Sequence, residues 1–331
     1  MHEFLMALLR LNAAVALSVL VVLVLRRPVR KQFGAQTAYG LWLLIPAAAL
    51  ATLFPARSIQ LVMSPPAPLH YVPSMDLSWL LLLDWAIGAF VVMRHLANAQ
   101  QEFDDAVFDG KAGPAVTGFL KPRIVTPSDF ASRYAPEEQD AILAHEKVHL
   151  WRQDARFNGL AALLRCICWF NPLVHIGARL MRVDQEMACD ALALARHPSA
   201  RRVYARTLLK TQMIDQALPV GCYWPGGGDH PLTERIEMLT VKRPTAPRRL
   251  IGASIVVVAA TLSGWGAWAA QPARIELIAA PSKPAQKSDD LAQAANDKRT
   301  QMTSIAASLQ AFETDLMEQQ KQAALKAQPR P

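Results

Sequence analysis

The sequence predicts a mainly α-helical, polytopic membrane protein with four transmembrane helices and a polar domain between the third and the fourth. Two observations carry this prediction. The chain has 331 residues, of which 52% are hydrophobic and only 19% are charged, a composition that favours a membrane protein with a modest polar part. The apolar residues also collect in four stretches, each long enough as a helix to cross a hydrocarbon core of about 30 Å. These stretches are 4–25, 35–54, 77–93 and 250–270.

Basic residues at the ends of the stretches predict their orientation, because Lys and Arg stay on the cytoplasmic side of a membrane. One basic cluster lies between the first and second stretches and another precedes the fourth: Arg26, Arg27, Arg30, Lys31, Lys242, Arg243, Arg248 and Arg249. The loop between the second and third stretches carries only Arg57. We therefore expect the N-terminus and the C-terminal tail outside and the polar domain in the cytoplasm. The first cluster follows its apolar stretch, the wrong order for a cleaved leader, so this stretch is expected to remain as an anchor.

This topology divides the chain into four predicted domains. They are a membrane domain with three transmembrane helices at 1–95, a cytoplasmic domain at 96–249, the fourth transmembrane helix at 250–270, and a short extracytoplasmic tail, partly helical or disordered, at 271–331.

The net charge of +8 lies at helix ends and not in a patch interleaved with aromatic residues, so direct nucleic-acid binding is not expected. All four cysteines fall in the predicted cytoplasmic domain, which suits reduced thiols.

The first elements of the cytoplasmic domain are a hairpin and two helices. Two β-rich runs around Gly118 and Pro122 predict a small β-hairpin. A helix is expected to begin at Pro136, a favourable first-turn residue, and to run to about Gln153. The mostly apolar segment 157–170 carries an arginine, so we expect a buried or partly membrane-immersed helix there rather than a fifth span.

Two more helices are predicted further along the chain. Asn171 and Pro172 supply an N-cap and a first-turn proline, and Pro198 closes the helix that they open. In the tail, apolar residues recur at alternate spacings of three and four, which predicts an amphipathic or coiled-coil helix of about two heptads. These residues are Met302, Ile305, Leu309, Phe312 and Leu316.

The segment "AHEKVH" contains the pattern HExxH on the helix that begins at Pro136. His145, Glu146 and His149 recur at helical spacing, so they share one face. On a helix, the two histidines of this pattern hold one zinc ion, and the glutamate takes a proton from the metal-bound water. The bland alternative, a solvated helix face with chance histidines, is disfavoured because the chain has only eight histidines.

A catalytic zinc needs a third protein ligand and one open position, and a glutamate from a second helix is a common solution. The downstream candidates are Glu186, Asp184, Asp190, His175 and Glu234. Glu186 and His175 cannot both bind, because eleven residues along a helix span about 16 Å. We choose Glu186 as the ligand, with Asp190 one turn later as a hydrogen-bond partner of a ligand histidine.

Six segments together resemble a known family. They are "YGLWLLIP", "GFLKPRIVTP", "ILAHEKVHLWRQD", "WFNPLVH", "QEMACDALAL" and "LTERIEML". They are similar to the BlaR/MecR-type membrane zinc metallopeptidases, the gluzincin-like antirepressor peptidases of bacteria. The resemblance covers roughly residues 1–270, and the HExxH stretch is its most specific part.

The resemblance implies a multi-pass protein of the bacterial inner membrane whose cytoplasmic protease domain cleaves a protein substrate, a cytosolic transcriptional repressor, when an outside signal arrives. It also implies Zn²⁺ held by His145, His149 and Glu186, with Glu146 as the general base. The tail departs from the family pattern, because it has about sixty residues and no SxxK motif, the motif of penicillin-binding domains. β-Lactam sensing by this chain is therefore not expected.

Two alternatives remain open at the level of sequence. One is a constitutive membrane processing or quality-control protease, and the other is a non-catalytic transducer that zinc stabilises. Retention of Glu146 argues against the second, because a structural zinc site needs ligands but no base. The sequence also does not identify the group that would stabilise the oxyanion, for which His175, Arg152 and Tyr204 are the candidates. A homo-oligomer is one possible assembly, but no sequence feature identifies the oligomeric state.

Overall fold

The structure is a computed structural model that describes residues 2–63, 77–196, 200–212, 231–279 and 286–326. It is mainly helical, as the sequence predicts. The helices in chain order are α1 His2–Phe33, α2 Ala35–Gly40, α3 Leu44–Ala51, α4 Ser78–Phe108, α5 Phe130–Arg133, α6 Pro136–Arg152, α7 Asp154–Ile167, α8 Pro172–Arg196, α9 Arg201–Gln212, α10 Pro231–Thr240, α11 Ala246–Ala269 and α12 Gln286–Lys326. The strands are β1 Ser58–Met63, β2 Ala115–Thr117, β3 Arg123–Val125 and β4 Arg274–Ala279.

The chain divides into two compact units. The first comprises residues 1–57 and 72–274 and holds α1 to α11. The second comprises residues 58–71 and 275–331, where β1 and β4 form a two-stranded sheet and α12 follows. The predicted tail helix is present and extends over 41 residues. The pairing of β1 with β4 was not predicted, because each strand is too short to be recognised apart from its distant partner.

Three of the described helices, α1, α4 and α11, are long and apolar enough to cross a membrane. They correspond to the first, third and fourth predicted spans. The second predicted span is shorter than expected: α2, a 3₁₀ turn at Leu41–Leu43 and α3 together run from Ala35 to Ala51. Gly34, at a φ of 92°, separates this helix from α1 in a conformation that suits glycine. The structure thus supports three of the four predicted membrane helices.

α7 runs back along the apolar part of α4. The indole N–H of Trp85 donates to the carbonyl of Ile167 at 2.8 Å, and that of Trp169 donates to the carbonyl of Trp85 at 3.1 Å. At the turn that follows, the Asn171 amide donates to the side-chain oxygen of Asn12 on α1 at 2.8 Å. The predicted immersed helix is therefore packed between apolar stretches, and it begins at Asp154.

α8 returns along α1 to the polar region. The two helices pack closely at Gly177, where a Cβ atom would come within 3.2 Å of Val19. Asn171 caps α8, because its side-chain oxygen accepts the backbone N–H of Leu173 at 3.0 Å, as the sequence predicts. Further along α8, Asp184 contacts Arg26 at the end of the apolar stretch of α1. α7 and α8 thus form a helical hairpin that lies against the apolar helices and rises from them into the polar region.

The polar region confirms the remaining predicted elements. β2 and β3 pair as an antiparallel hairpin, with Ala115 opposite Val125. α6 begins at Pro136 and ends at Arg152. The next residue, Gln153, has a left-handed φ of 61° that turns the chain sharply. α6, α8, α9 and α10 enclose one apolar cluster, whose buried residues are Ala141, Val148, Cys189, Ala193, Leu194, Tyr204, Leu208 and Leu239. This cluster fixes α6 against α8, the two helices that carry the predicted site.

Candidate metal centre

α6 places the two histidines of the motif one turn apart with their rings in contact. The Nε2 atoms of His145 and His149 lie 3.0 Å apart, and the ring centroids are 4.7 Å apart. His149 is buried, and His145 is nearly so. The helical spacing thus brings two imidazole nitrogens to one point.

Glu186 from α8 meets the histidine pair at that point. One of its carboxylate oxygens lies 3.3 Å from His145 Nε2, and the other lies 3.6 Å from His149 Nε2. A tetrahedral zinc ion with Zn–N bonds of about 2.0–2.1 Å separates its ligand atoms by roughly 3.3–3.4 Å. One ligand atom from each of the three residues lies within 4.8 Å of the others. The donor set and its spacing therefore fit one zinc ion.

His145 is held on its other nitrogen by Asp190 and Tyr204. Its Nδ1 lies 3.1 Å from a carboxylate oxygen of Asp190 and 2.8 Å from the Tyr204 hydroxyl. That hydroxyl also donates to Asp190 at 2.7 Å, so its oxygen is free to accept the Nδ1 proton. Asp190 lies where the sequence places it, one turn beyond Glu186 and against a histidine of the motif.

His149 is held in the same way by Asp154. The Asp154 carboxylate lies 2.8 Å from His149 Nδ1. The turn at Gln153 brings the first residue of α7 back toward α6. Asp154 also accepts the Tyr39 hydroxyl at 3.1 Å and the Cys189 thiol at 3.4 Å. Burial raises the pKa of Cys189 to about 11, so this thiol stays protonated as a donor.

These contacts fix the tautomer of both histidines. An ionised aspartate only accepts hydrogen bonds, so each Nδ1 carries the proton and each Nε2 exposes a lone pair. Two lone pairs that face one another at 3.0 Å require a proton or a metal cation between them. Burial lowers the pKa of both histidines, but the net shift is upward. The Asp190 and Glu186 carboxylates outweigh burial at His145, and Cys189 together with the Glu186 and Asp154 carboxylates outweighs it at His149. The site thus attracts positive charge at the point where the three donor atoms meet.

Glu146 is buried beside this point on the same helix, with 8% of its surface exposed. Burial raises the pKa of its carboxyl, and the nearby histidines oppose that effect only in part. A carboxylate with a raised pKa is a better proton acceptor than an ordinary surface glutamate. Glu146 is thus a buried carboxylate of raised pKa that adjoins His145 in the chain.

A family profile described as BlaR1 peptidase M56 matches residues 6–79 and 106–239, which together make up more than half of the chain. The chain belongs to the BlaR1 peptidase M56 family. The matched residues include α6, α8, α9 and all of α10 except its last residue, Thr240. The resemblance to BlaR/MecR-type membrane metallopeptidases is thus confirmed.

Curated relatives agree with the profile. The chain is 31% identical over 104 residues to the regulatory protein BlaR1 of Bacillus licheniformis, and 33% identical over 104 residues to the methicillin resistance mecR1 proteins of Staphylococcus aureus and Staphylococcus epidermidis. The match covers 31% of this chain in the first case and 30% in the other two. It covers only 17% of the length of each relative. No solved structure matches the chain.

In this M56 chain, Arg235 of α10 also reaches the site, a role that we did not predict from the sequence. Its guanidinium binds both oxygens of Asp190, at 2.8 and 2.9 Å, and lies 3.3 Å from the Glu186 carboxylate. Burial raises the pKa of Asp190, but the adjacent Arg235 outweighs this effect and holds the pKa well below its usual range. Desolvation likewise raises the pKa of Glu186, but the imidazole of His149 and Arg235 hold it well below its usual value. Both acids are therefore anionic.

The other third-ligand candidates have different partners. Asp184 accepts hydrogen bonds from Arg26 and Trp42. Glu234 accepts one from Arg30, and His175 contacts the carbonyl of Trp169. All of these contacts are directed away from His145 and His149, so Glu186 is the one candidate that the described residues bring to both Nε2 atoms.

The three oxyanion candidates do not face the metal point among the described residues. Tyr204 lies on the Nδ1 side of His145. Arg152 stacks on Tyr39 and pairs with Asp154. His175 lies eleven residues from Glu186 along α8, or about 16 Å.

Proposed function

We propose that the chain is a membrane-embedded zinc endopeptidase of a bacterial signal-transduction system. The observation that carries this proposal is the convergence of His145 Nε2, His149 Nε2 and the Glu186 carboxylate, with each histidine locked by an aspartate on its other nitrogen. Such carboxylate–histidine pairs are typical of metal-binding histidines, because they set the tautomer and strengthen the ligand. Membership of a peptidase family supports the same chemistry.

In this proposal the ligands are His145, His149 and Glu186, and the metal is Zn²⁺. When bound, zinc supplies a Lewis acid that polarises a peptide carbonyl and lowers the pKa of a coordinated water. Glu146 accepts the proton that this water gives up and passes it to the leaving amine. Asp190 and Asp154 take no proton in this scheme. They keep both Nε2 lone pairs directed at the same point.

The buried position of Glu146 separates this proposal from a non-catalytic transducer. A structural site needs four ligands and no base. Here a carboxylate that is 8% exposed lies beside the ligand histidines at the energetic cost of burying its charge. A structural site does not require this carboxylate, whereas a hydrolytic site requires it as a general base.

The site is proposed to lie at the cytoplasmic face of the bacterial inner membrane. Asp184, two residues before Glu186, contacts Arg26, the first residue beyond the apolar part of α1. From there α8 descends along α1 for thirteen residues to Asn171, about 20 Å at helical rise. The α7–α8 hairpin thus enters the membrane from the side on which the basic clusters lie, which supports the proposed domains at 1–95, 96–249, 250–270 and 271–331.

The proposed substrate is a protein, namely a cytosolic transcriptional repressor. Two considerations support it: the site lies on the predicted cytoplasmic side, and one matched relative, BlaR1 of Bacillus licheniformis, is named a regulatory protein. A constitutive membrane processing protease has the same chemistry and differs only in substrate. Comparison of the newly formed peptide N-termini in cells with active and inactive enzyme separates the two.

The test of the proposed function is Glu146→Gln in the full chain. This variant keeps the size and the hydrogen-bonding capacity of the side chain but cannot accept the proton. Zinc should stay near one equivalent per chain by metal analysis, because Glu146 is not a ligand. Cleavage should fall by about 10²- to 10⁴-fold, the typical contribution of a general base.

The matched control is Glu137→Gln, the same change at an exposed position in the first turn of α6. It should keep both zinc and cleavage. If purified Glu146→Gln with full zinc occupancy cleaves at the wild-type rate, the hydrolytic mechanism is wrong. If signalling in cells also survives, zinc is structural.

A further inference from the structure

The dipeptide Glu234–Arg235 of α10 joins the first membrane helix to the metal centre. Glu234 accepts a hydrogen bond from Arg30 of α1 at 2.9 Å. Its neighbour Arg235 binds Asp190 through two hydrogen bonds and lies 3.3 Å from Glu186. One turn of α10 therefore contacts α1 on one side. On the other side it contacts the proposed ligand Glu186 and Asp190, the aspartate that supports His145.

Two arginines of α1, Arg26 and Arg30, also bind α8. Arg26 binds Asp184 at 2.8 Å, and Arg30 binds the other oxygen of Asp184 at 3.2 Å. Asp184 is fully buried, and the side chains of Arg26 and Arg30 are only 4% and 10% exposed. Arg30 is thus the one described residue that pairs with both α8, two positions before Glu186, and α10, one position before Arg235.

These contacts leave little freedom for α1 to move alone. A buried charge is destabilised when its partner is withdrawn, so a displacement of α1 must carry the buried Asp184 with it or break its pairs with Arg26 and Arg30. The same displacement breaks the more exposed pair between Arg30 and Glu234 unless α10 follows. Either result shifts Glu186 or its Arg235 partner. Packed polar contacts of this kind exchange between discrete arrangements rather than stretch continuously.

We propose that Arg30 and the Glu234–Arg235 dipeptide couple the position of α1 to the metal affinity of the site, with Arg235 as a positioning residue for Glu186. This inference rests on the proposed function, because it names the regulation of the same site. α1 is long and apolar enough to cross the membrane, so an event on its far side reaches the metal ligands through two ion pairs. The coupling is reciprocal, so metal binding must also be felt at α1.

The test uses the full chain in lipid nanodiscs and measures zinc affinity by chelator competition. Glu234→Gln and Arg30→Gln touch no ligand, yet each should weaken zinc binding by about 10-fold, the lower end of the effect of outer residues on metal affinity. The double variant should lose little more than Arg30→Gln alone, because Arg30→Gln already removes the pair between Arg30 and Glu234. Lys31→Gln, an equal loss of charge at an exposed neighbouring position, should bind zinc as the wild type does.

A second readout reports the ligand geometry directly. With Co²⁺ in place of zinc, the visible absorption bands depend on the arrangement of the ligands. These bands should shift in Glu234→Gln and in Arg235→Lys, stay unchanged in Lys31→Gln, and return toward wild type in Glu234→Asp, which restores the charge. A merely structural role for α10 predicts lower stability in these variants with unchanged bands.

A third measurement needs no variant and so does not depend on folding of the mutants. Hydrogen exchange of the wild type should show slower exchange with zinc than without it at α10 and at residues 26–33. Protection confined to α6 and α8, or wild-type zinc affinity in folded Glu234→Gln and Arg30→Gln, overturns the coupling. The proposed function fails separately, if the wild type binds no zinc or if Glu146→Gln cleaves normally.

Discussion

The two histidines of the metal centre are held by the same chemistry from two different parts of the molecule. Each directs Nδ1 at an aspartate, and each aspartate accepts a tyrosine hydroxyl: Tyr204 on Asp190 at 2.7 Å, and Tyr39 on Asp154 at 3.1 Å. Tyr204 lies on α9 in the polar region, whereas Tyr39 lies on α2 within the second apolar stretch. One ligand is thus tied to the polar region and the other to the membrane helices.

The two supports also differ in charge. Asp190 is bound through both oxygens by Arg235, which is 6% exposed. Asp154 has a single, longer ion pair with Arg152 at 3.3 Å, and its remaining partners are neutral hydroxyl and thiol groups. The site is therefore complete only when the apolar helices and the polar helices pack together. Because the two supports differ in charge, equivalent substitutions in them should lower stability by different amounts.

The largest expected effect comes from Glu186, the residue that meets both histidines. Glu186→Ala removes the third donor from both Nε2 atoms, so zinc affinity should fall by more than about 100-fold, beyond the range for residues outside the ligand set. Metal analysis after dialysis against a mild chelator measures this loss. Asp184→Ala is the matched control, because it removes a carboxylate from the same helix two positions away.

Asp184→Ala should keep one zinc per chain at saturating metal, with at most the roughly 10-fold loss of affinity expected for a broken contact with α1, and it should lose stability instead. It leaves Arg26 buried without its anion, which costs about 3–5 kcal/mol, so the unfolding midpoint should drop. Combining Asp184→Leu with Arg26→Met removes both charges and should restore most of the midpoint. Equal metal loss in Glu186→Ala and Asp184→Ala would contradict the assignment of Glu186.

The second prediction compares the two aspartates. Asp190→Asn and Asp154→Asn should each weaken zinc binding by about 10- to 100-fold, because each loosens one ligand histidine. Asp190→Asn should also lower stability more, because it leaves the buried Arg235 without its bidentate partner. Zinc titration together with thermal unfolding measures both quantities, and Asp140→Asn, at an exposed position on α6, is the control. A larger loss of stability in Asp154→Asn than in Asp190→Asn would reverse the proposed order.

The sequence predicted the half of this centre that regular helices build. His145, Glu146 and His149 recur at helical spacing, and Asp190 lies one turn beyond Glu186, so helical periodicity alone places them. Asp154 was missed because it reaches His149 only through the left-handed turn at Gln153. A non-glycine residue in that conformation has no sequence signal of its own.

Contacts between distant elements were equally hard to predict. Arg235 and Tyr39 each lie far along the chain from the histidines, and only the packing of α10 and α2 against α8 brings them to the site. The apolar pattern predicted spans one, three and four within a few residues. It overestimated the second at its C-terminal end, because the helix that begins at Ala35 ends at Ala51 and not at Phe54.

The smallest expected effect comes from the two tyrosines, and it tests whether the supports are separate. Tyr204→Phe and Tyr39→Phe each remove one hydroxyl donor from an aspartate and leave the aspartate and the histidine in place. A hydrogen bond to a charged group contributes about 1.5–3 kcal/mol when both partners are fully desolvated, but only part of this loss reaches the metal. Zinc affinity should therefore fall less than in the aspartate variants, by under about 10-fold. Tyr204→Phe should have the larger effect of the two, because its hydroxyl also lies 2.8 Å from His145 Nδ1.

The double variant Tyr204→Phe with Tyr39→Phe then decides the comparison. If the two supports act on separate histidines, the two losses of binding free energy should add within about 0.3–0.5 kcal/mol. Tyr204→Phe combined with Asp190→Asn is the matched pair from a single support, and its losses should fall short of additivity because both residues act on His145. Zinc titration of the wild type, the three single variants and the two double variants supplies both cycles. Strong coupling between Tyr204 and Tyr39, two residues from opposite sides of the site, would show that the histidines respond as one unit and that the division between membrane-side and polar-side support is wrong.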